Sequence, residues 1–168
     1  MRFIFKFFIV ILILTIFHTA FAYHPVILAS FDDTKYVDGE VFTPVNGSYD
    51  FRKFTLNSSQ TENYTAIIDT SGFAQFVDGK GNHTINVFEW GKMTSGRRDR
   101  INSLLMTELN RSHFTADGVE IINTNVLSAK FYGAHVNFPE RNTEIYIATP
   151  TVNETVEMVK TLKFKESY

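Results

Sequence analysis

The chain contains no cysteine. That absence removes disulfides, thiol nucleophiles, zinc–thiolate centres and iron–sulfur clusters together. It also lacks an excess of basic charge: 16 Lys and Arg stand against 18 Asp and Glu, a formal net charge of −2. Such mild acidity argues against nucleic acid and against strong attraction to anionic lipid. No internal repeat, low-complexity tract or Pro/Gly-rich linker divides the chain, so a single folded domain is expected. H-E-x-x-H, G-x-S-x-G and the phosphate-loop pattern G-x-x-x-x-G-K-S/T are all missing. Beyond the N-terminus no run is long and apolar enough to span a bilayer.

What is present begins with a leader. Met1-Arg2-Phe3-Ile4-Phe5-Lys6 carries two positive charges, Phe7 to Phe17 is almost wholly apolar, and Ala20-Phe21-Ala22 offers small residues at a cleavage site. A charged start, an apolar middle and an A-x-A end are the parts of a secretory signal peptide. Residues 1–22 are expected to be removed, leaving residues 23–168 as one exported α+β domain of 146 residues, with 23–59 its least regular part. The alternative is an uncleaved anchor, the one route by which the chain is expected to touch a membrane; His18 and the A-x-A site argue against it. Loss of Arg2 and Lys6 leaves 14 basic residues against 18 acidic ones, a net of −4.

Six N-x-S/T triplets follow, beginning at Asn46, Asn57, Asn63, Asn82, Asn110 and Asn153, none with proline in the middle. In an exported chain each is an acceptor for an N-linked sugar on exposed backbone. An Asn-, Ser- and Thr-rich composition produces some triplets by chance, but six in this length is dense. The expected setting is a secreted or cell-surface glycoprotein. Without disulfides its stability must come from its core. A chain of this length buries roughly 68–70% of its unfolded surface, and 17 Phe and seven Tyr supply bulky material, although several Phe leave with the leader.

The hydrophobic spacing predicts strands and helices in turn. "PVILASF" and "YDFRKFTL" are short strand-like pieces among turn residues. "YTAIID" and "FAQFV" read as strands, and the glycine-rich "DGKGN" joins the second to "HTINVFEW" as a hairpin. From Arg97 to Leu109 the period changes: Ile101, Leu104, Leu105 and Leu109 share one helical face, capped by Thr94 or Ser95, and "RSHFTADG" ends the helix. "VEIIN", "AKFYGAHVNF" and "TEIYIAT" are strands, the last two separated by "PERN". A final helix from about Val152 to Lys163 opens with a Thr151/Glu154 capping box, stripes Val152, Val156, Val159 and Leu162 inward, and turns Asn153 outward. The expected fold is α+β: an antiparallel sheet of about five to seven strands with two main helices packed on one face.

Candidate chemistry is sparse. "IIDTSG" resembles the aspartic-protease loop, but Ser71 breaks the pattern and no second loop supplies the partner carboxylate; Asp69 reads better as a turn residue. "DGKGN" meets neither the calcium-loop nor the phosphate-loop spacing. After cleavage His24, His83, His113 and His135 remain, none paired at helical spacing with another His. His135 sits mid-strand on the face of Phe131; a carboxylate–His site would need Asp69 or Glu89 beside it. Arg97, Arg98 and Arg100 form the one local basic cluster, at a helix start where an anion could bind, with Asp99 offsetting part of the charge. No metal and no cofactor is expected.

The pattern from Thr65 to Phe164 is similar to that of short exported proteins of methanogenic archaea and some bacteria: a hairpin, a helix, "AKFYGAHVNFPERNTEIYIAT" as strand–turn–strand, and a closing "VEMVKTLKF" helix. Those resemble the PsbP-like α/β sandwich, an accessory and binding fold, and the resemblance implies a non-enzymatic role. The expected function is therefore binding, to a protein or a surface polymer. The alternatives are a small hydrolase or ligand-processing enzyme built on His135, and an envelope assembly or stress accessory protein.

Overall fold

The turn after Asp78 sets the centre of the fold. The Asp78 carboxylate accepts the backbone N–H groups of Asn82 and His83 at 2.7 and 3.1 Å. Short carboxylate side chains close turns in this way. The flanking strands β5 (Phe73–Asp78) and β6 (Thr84–Glu89) pair antiparallel as a result. The structure is a computed structural model and describes residues 39–70, 72–99, 101–102, 112–126 and 129–166. The expected signal peptide, "PVILASF" and most of the Arg97–Leu109 segment lie outside these residues.

The remaining strands in chain order are β1 (Val41–Phe42), β2 (Ser48–Asp50), β3 (Phe54–Asn57), β4 (Tyr64–Thr70), β7 (Ser112–Ala116), β8 (Val119–Val126), β9 (Ala129–Phe138), β10 (Thr143–Thr149) and β11 (Lys163–Phe164); one helix, α1 (Val152–Thr161), precedes β11. Eight strands form an antiparallel sheet in the order β1-β4-β5-β6-β10-β9-β8-β7, and β11-β3-β2 form a second, small one. "YDFRKFTL" is thus two strands. Asp50 Oδ1 accepts the N–H of Arg52 at 3.0 Å, and Arg52 turns the chain with a φ of 61°.

The small sheet and α1 cover one face of the large sheet. Phe42, Phe76, Ile85, Val87, Ile145 and Ile147 meet Tyr49, Phe51, Phe54, Leu56, Met158 and Leu162 there. Phe51 is the hub, with ring centroids 4.8 Å from Phe76, 5.0 Å from Phe54 and 5.4 Å from Tyr64; each such pair adds about 0.5–1.5 kcal/mol beyond its buried area. On the opposite face Phe73, Phe88, Met93, Ile101, Ile122 and Tyr146 form a second cluster.

The expected fold class needs correcting. The large sheet alone has eight strands, and among the described residues one helix of seven or more residues stands, not two on one face. Residues 95–99 and 101–102 are helical, but Ile101 packs on the face away from α1. Three strands were not expected: the two-residue β1 and β11, the latter beginning at Lys163 where the helix was expected to end, and the longer β7. "RSHFTADG" read as a helix stop; Asp117 and Gly118 instead take left-handed φ values of 50° and 80°, the pair a tight I′ hairpin requires. The chain reverses there and β7 pairs with β8.

α1 starts where Thr151 Oγ1 accepts the Glu154 N–H at 3.3 Å. The other half of the box differs: the Thr151 hydroxyl donates to Glu154 Oε2 at 2.7 Å, and the Thr151 N–H goes to Thr149 Oγ1 at 3.3 Å. Asn153 is exposed. Val156 and Leu162 are buried, but Thr155 and Met158 are more so, at 0% exposure. Packed on the large sheet with the edge of the small sheet along its flank, the helix buries a wider stripe than one sheet would ask. The Thr155 hydroxyl donates to Tyr132 O at 2.7 Å, so its polar group is satisfied. Leu162 returns to extended backbone and leads into β11. Among the described residues no helix is long and apolar enough to cross a membrane.

Candidate functional site

The end of β6 away from the Asp78 turn opens into a groove of about 520 Å³, lined by Lys53, Glu89, Lys92, Arg141, Thr143 and Phe164 together with Glu140. Glu89 closes β6 and faces the small sheet, so it meets Lys53 from the β2–β3 turn; Lys92 comes from the 3-10 turn Trp90–Lys92. Lys53 Nζ donates to Glu89 Oε2 at 2.7 Å, and Lys92 Nζ to Oε1 at 2.9 Å. Partial burial pushes the Glu89 carboxyl up, but the two ammonium donors outweigh it and hold it below the usual range. Glu89 in turn raises Lys92. On the far side the Arg141 guanidinium lies over the Phe164 ring, 4.9 Å from its centroid, and Phe164 stands edge-on to Phe138 at 4.6 Å. Three cations face two carboxylates, one positive charge in excess on an acidic chain.

A second polar cluster lies at the other pole. His83 Nδ1 pairs with Asp78 Oδ2 at 2.8 Å, and its Nε2 stands 3.5 Å from Glu154 Oε1, an ion-pair rather than a hydrogen-bond distance. The side chains of Asp78 and His83 are 1% and 9% exposed. Burial lowers the His83 pKa, but the bond and charge of Asp78, with Glu154 behind, raise it overall. For Asp78 burial raises, and the His83 ring and backbone donors win and lower it. The Tyr64 hydroxyl is buried without a partner; burial and Asp78 push it far above its ordinary pKa. This cluster ties the hairpin turn to the start of α1. The sequence does not announce it, because the pair forms across a turn, five residues apart, a spacing with no helical or strand period.

His135 is held by Glu144, not by Asp69 or Glu89. Its Nδ1 bonds the Glu144 carboxylate, its ring lies 4.6 Å from that of Tyr146, and Nε2 is buried without a partner. The β9–β10 register brings His135 opposite Tyr146, and Gly133 beside them leaves room that a Cβ would take from the Tyr146 ring. The adjoining cleft, lined by His113, Glu120, Ile122 and His135, holds about 40 Å³. His113 pairs with Glu120 at 3.0 Å.

Asp69 lies in β4, with β5, β6 and β10 between it and β9; its side chain is outside the described part. Glu89 sits opposite Thr143 and so faces away from the Glu144–Tyr146 side. Arg97 is half-buried with its guanidinium 6.0 Å from the Phe73 ring centroid, Arg98 is exposed, and Arg100 lies outside the described residues. Asn46, Asn57, Asn63 and Asn153 are exposed, Asn82 is half-buried, and Asn110 is not among the described residues. Among the described residues no group of three or more acidic or His side chains could hold a metal ion. Neither a family model, nor a curated protein, nor a solved structure matches the chain.

Proposed function

We propose that the protein is an exported glycoprotein whose groove binds an anionic surface polysaccharide, one bearing carboxylates or sulfates. The observation that carries this is the groove itself: Glu89 clamped between Lys53 and Lys92, facing Arg141 on Phe164, around about 520 Å³. That volume is within the roughly 300–1,000 Å³ of small-ligand sites. Ammonium groups meet acidic substituents, while the ring-backed guanidinium, which Glu140 also faces at 4.0 Å, offers a flat surface to a sugar ring. The slot between the two sheets, at about 60 Å³, is too small to compete. The leader and the density of acceptor triplets support export to where such polymers occur.

The test is retention on immobilised polygalacturonate against neutral dextran. Selective retention that is lost in Lys53→Gln/Lys92→Gln supports the reading; equal retention on both polymers, or an unaffected variant, contradicts it. A hydrolase built on His135 is favoured by one observation, the unpartnered Nε2 backed by Glu144. Against it stands a cleft of about 40 Å³, room for about one water at its roughly 30 Å³ share of liquid volume. Hydrolysis of the polymer that stops in His135→Ala would favour the enzyme.

A further inference from the structure

The five acceptor asparagines among the described residues are scattered through the sequence but unevenly placed on the surface. Asn82 lies in the β5–β6 turn. Asn63 immediately precedes Tyr64, whose cross-strand partner is Asp78 at that same turn, and Glu62 reaches Lys80 in the turn at 2.6 Å. Asn57 closes β3; the Tyr49 hydroxyl donates to Gln60 O and Glu62 O at 3.0 and 2.8 Å, tying the short link from Asn57 to Asn63 to the small sheet. Asn46 stands beside Asn57, because the Ser58 N–H donates to Gly47 O at 3.0 Å. Asn153 precedes Glu154, the residue that faces His83. Asn63, Asn82 and Asn153 thus sit at the hairpin end of the strands, while Asn57, whose N–H donates to Thr161 Oγ1 at 2.9 Å, and Asn46 beside it flank the last turn of α1; none of the five lines the groove. The groove sits at the other end: Glu89 closes β6, Thr143 is its partner on β10, and Phe164 pairs with Phe54 next to Lys53.

We infer that N-linked sugars clothe the hairpin pole and leave the groove pole bare, so that the protein meets its polymer in one orientation, groove first. This rests on the reading of an exported binding domain. Each glycan is a bulky, hydrated chain, and at Asn63, Asn82 or Asn153 it excludes a large partner from that pole while leaving the far end open. Exposed sites on four turns or element ends, plus a half-buried one in the hairpin turn, suit attachment without disturbing the core.

The experiment is to produce the full chain in a eukaryotic secreting cell, map the sugars by mass spectrometry, and measure polygalacturonate affinity before and after enzymatic sugar removal. Lys92→Asn places a new acceptor triplet with Met93 and Thr94 in the groove, and Lys92→Gln is its sugar-free control. The expected result is sugar on most of the five asparagines and an affinity that stays within about twofold when it is removed. Lys92→Asn should bind at least about tenfold more weakly than Lys92→Gln, and removing its sugar should abolish most of that difference, as steric exclusion from an interface requires. Bare asparagines in a secreted, polymer-binding chain overturn the sugar-coated pole alone. A tenfold gain in affinity on stripping the parent chain places the partner at the hairpin pole and overturns the orientation. A chain that stays in the cell with its leader attached overturns the export reading, and the inference with it.

Discussion

His83 is the residue on which the most charge bookkeeping converges. Its pKa lies above the ordinary 6.5 and that of Asp78 below 3.8. The His83 contribution to stability is complete below the unfolded value and is lost as pH rises through the folded one. The Asp78 contribution is present above its unfolded value and is lost as pH falls through its lowered one. Thermal stability should therefore be greatest in mildly acidic solution and decline on both sides. In His83→Gln the decline above neutrality should flatten, and stability in the acidic window should fall by about 3 kcal/mol, because the buried Asp78 carboxylate loses its charged partner. Melting temperatures across pH 4 to 9 check this; an unchanged alkaline slope in the variant would count against the cluster as the source. The sequence showed Asp78 only as a turn residue and His83 only as unpaired. A turn that folds back within five residues was visible; which ring it would bring to the carboxylate was not.

At the scale of elements, α1 and β7 show what periodicity reveals and what it hides. β9 and β10 were read with the boundaries the structure has, because alternation between turn residues leaves little choice. The inward face of α1 was read as a valine stripe, and the helix instead centres on Thr155 and Met158. A single sequence does not announce that a second sheet will pack along the flank of the helix. Met158→Asp should prevent folding, since a buried carboxylate there finds no partner, and Met158→Ala should cost about 2–5 kcal/mol. Asn153→Gln should leave the melting temperature of the unglycosylated chain unchanged. Circular dichroism melts of the three variants decide the face, and a destabilised Asn153→Gln with a tolerant Met158→Asp would mean the helix is rotated. β7 was missed because Asp-Gly serves equally as a helix stop and as a hairpin turn. Its left-handed backbone predicts that Gly118→Ala costs about 1 kcal/mol.

The whole molecule has two unlike poles: one with a buried Asp78–His83 pair backed by Glu154 and three of the acceptor triplets, one with a cationic groove. The acceptors were legible in the sequence as triplets, their convergence was not, because it depends on strand order. The same holds for the groove. Lys53 and Glu89 are 36 residues apart, and a basic cluster sought by local density fell on Arg97, Arg98 and Arg100 instead. The proposed binding through ammonium and guanidinium groups predicts that polymer affinity falls steeply between low and high salt, as screening of exposed charges requires, and that Lys53→Gln/Lys92→Gln shows a shallower salt dependence. The most direct measurement is backbone amide exchange of the parent chain, residue by residue, with and without polygalacturonate. The account predicts slowed exchange at Lys53, Trp90 to Lys92, Arg141 to Thr143 and Phe164, with the hairpin turn unaffected. Protection centred on the turn or on His135, or none anywhere at saturating polymer, would contradict it.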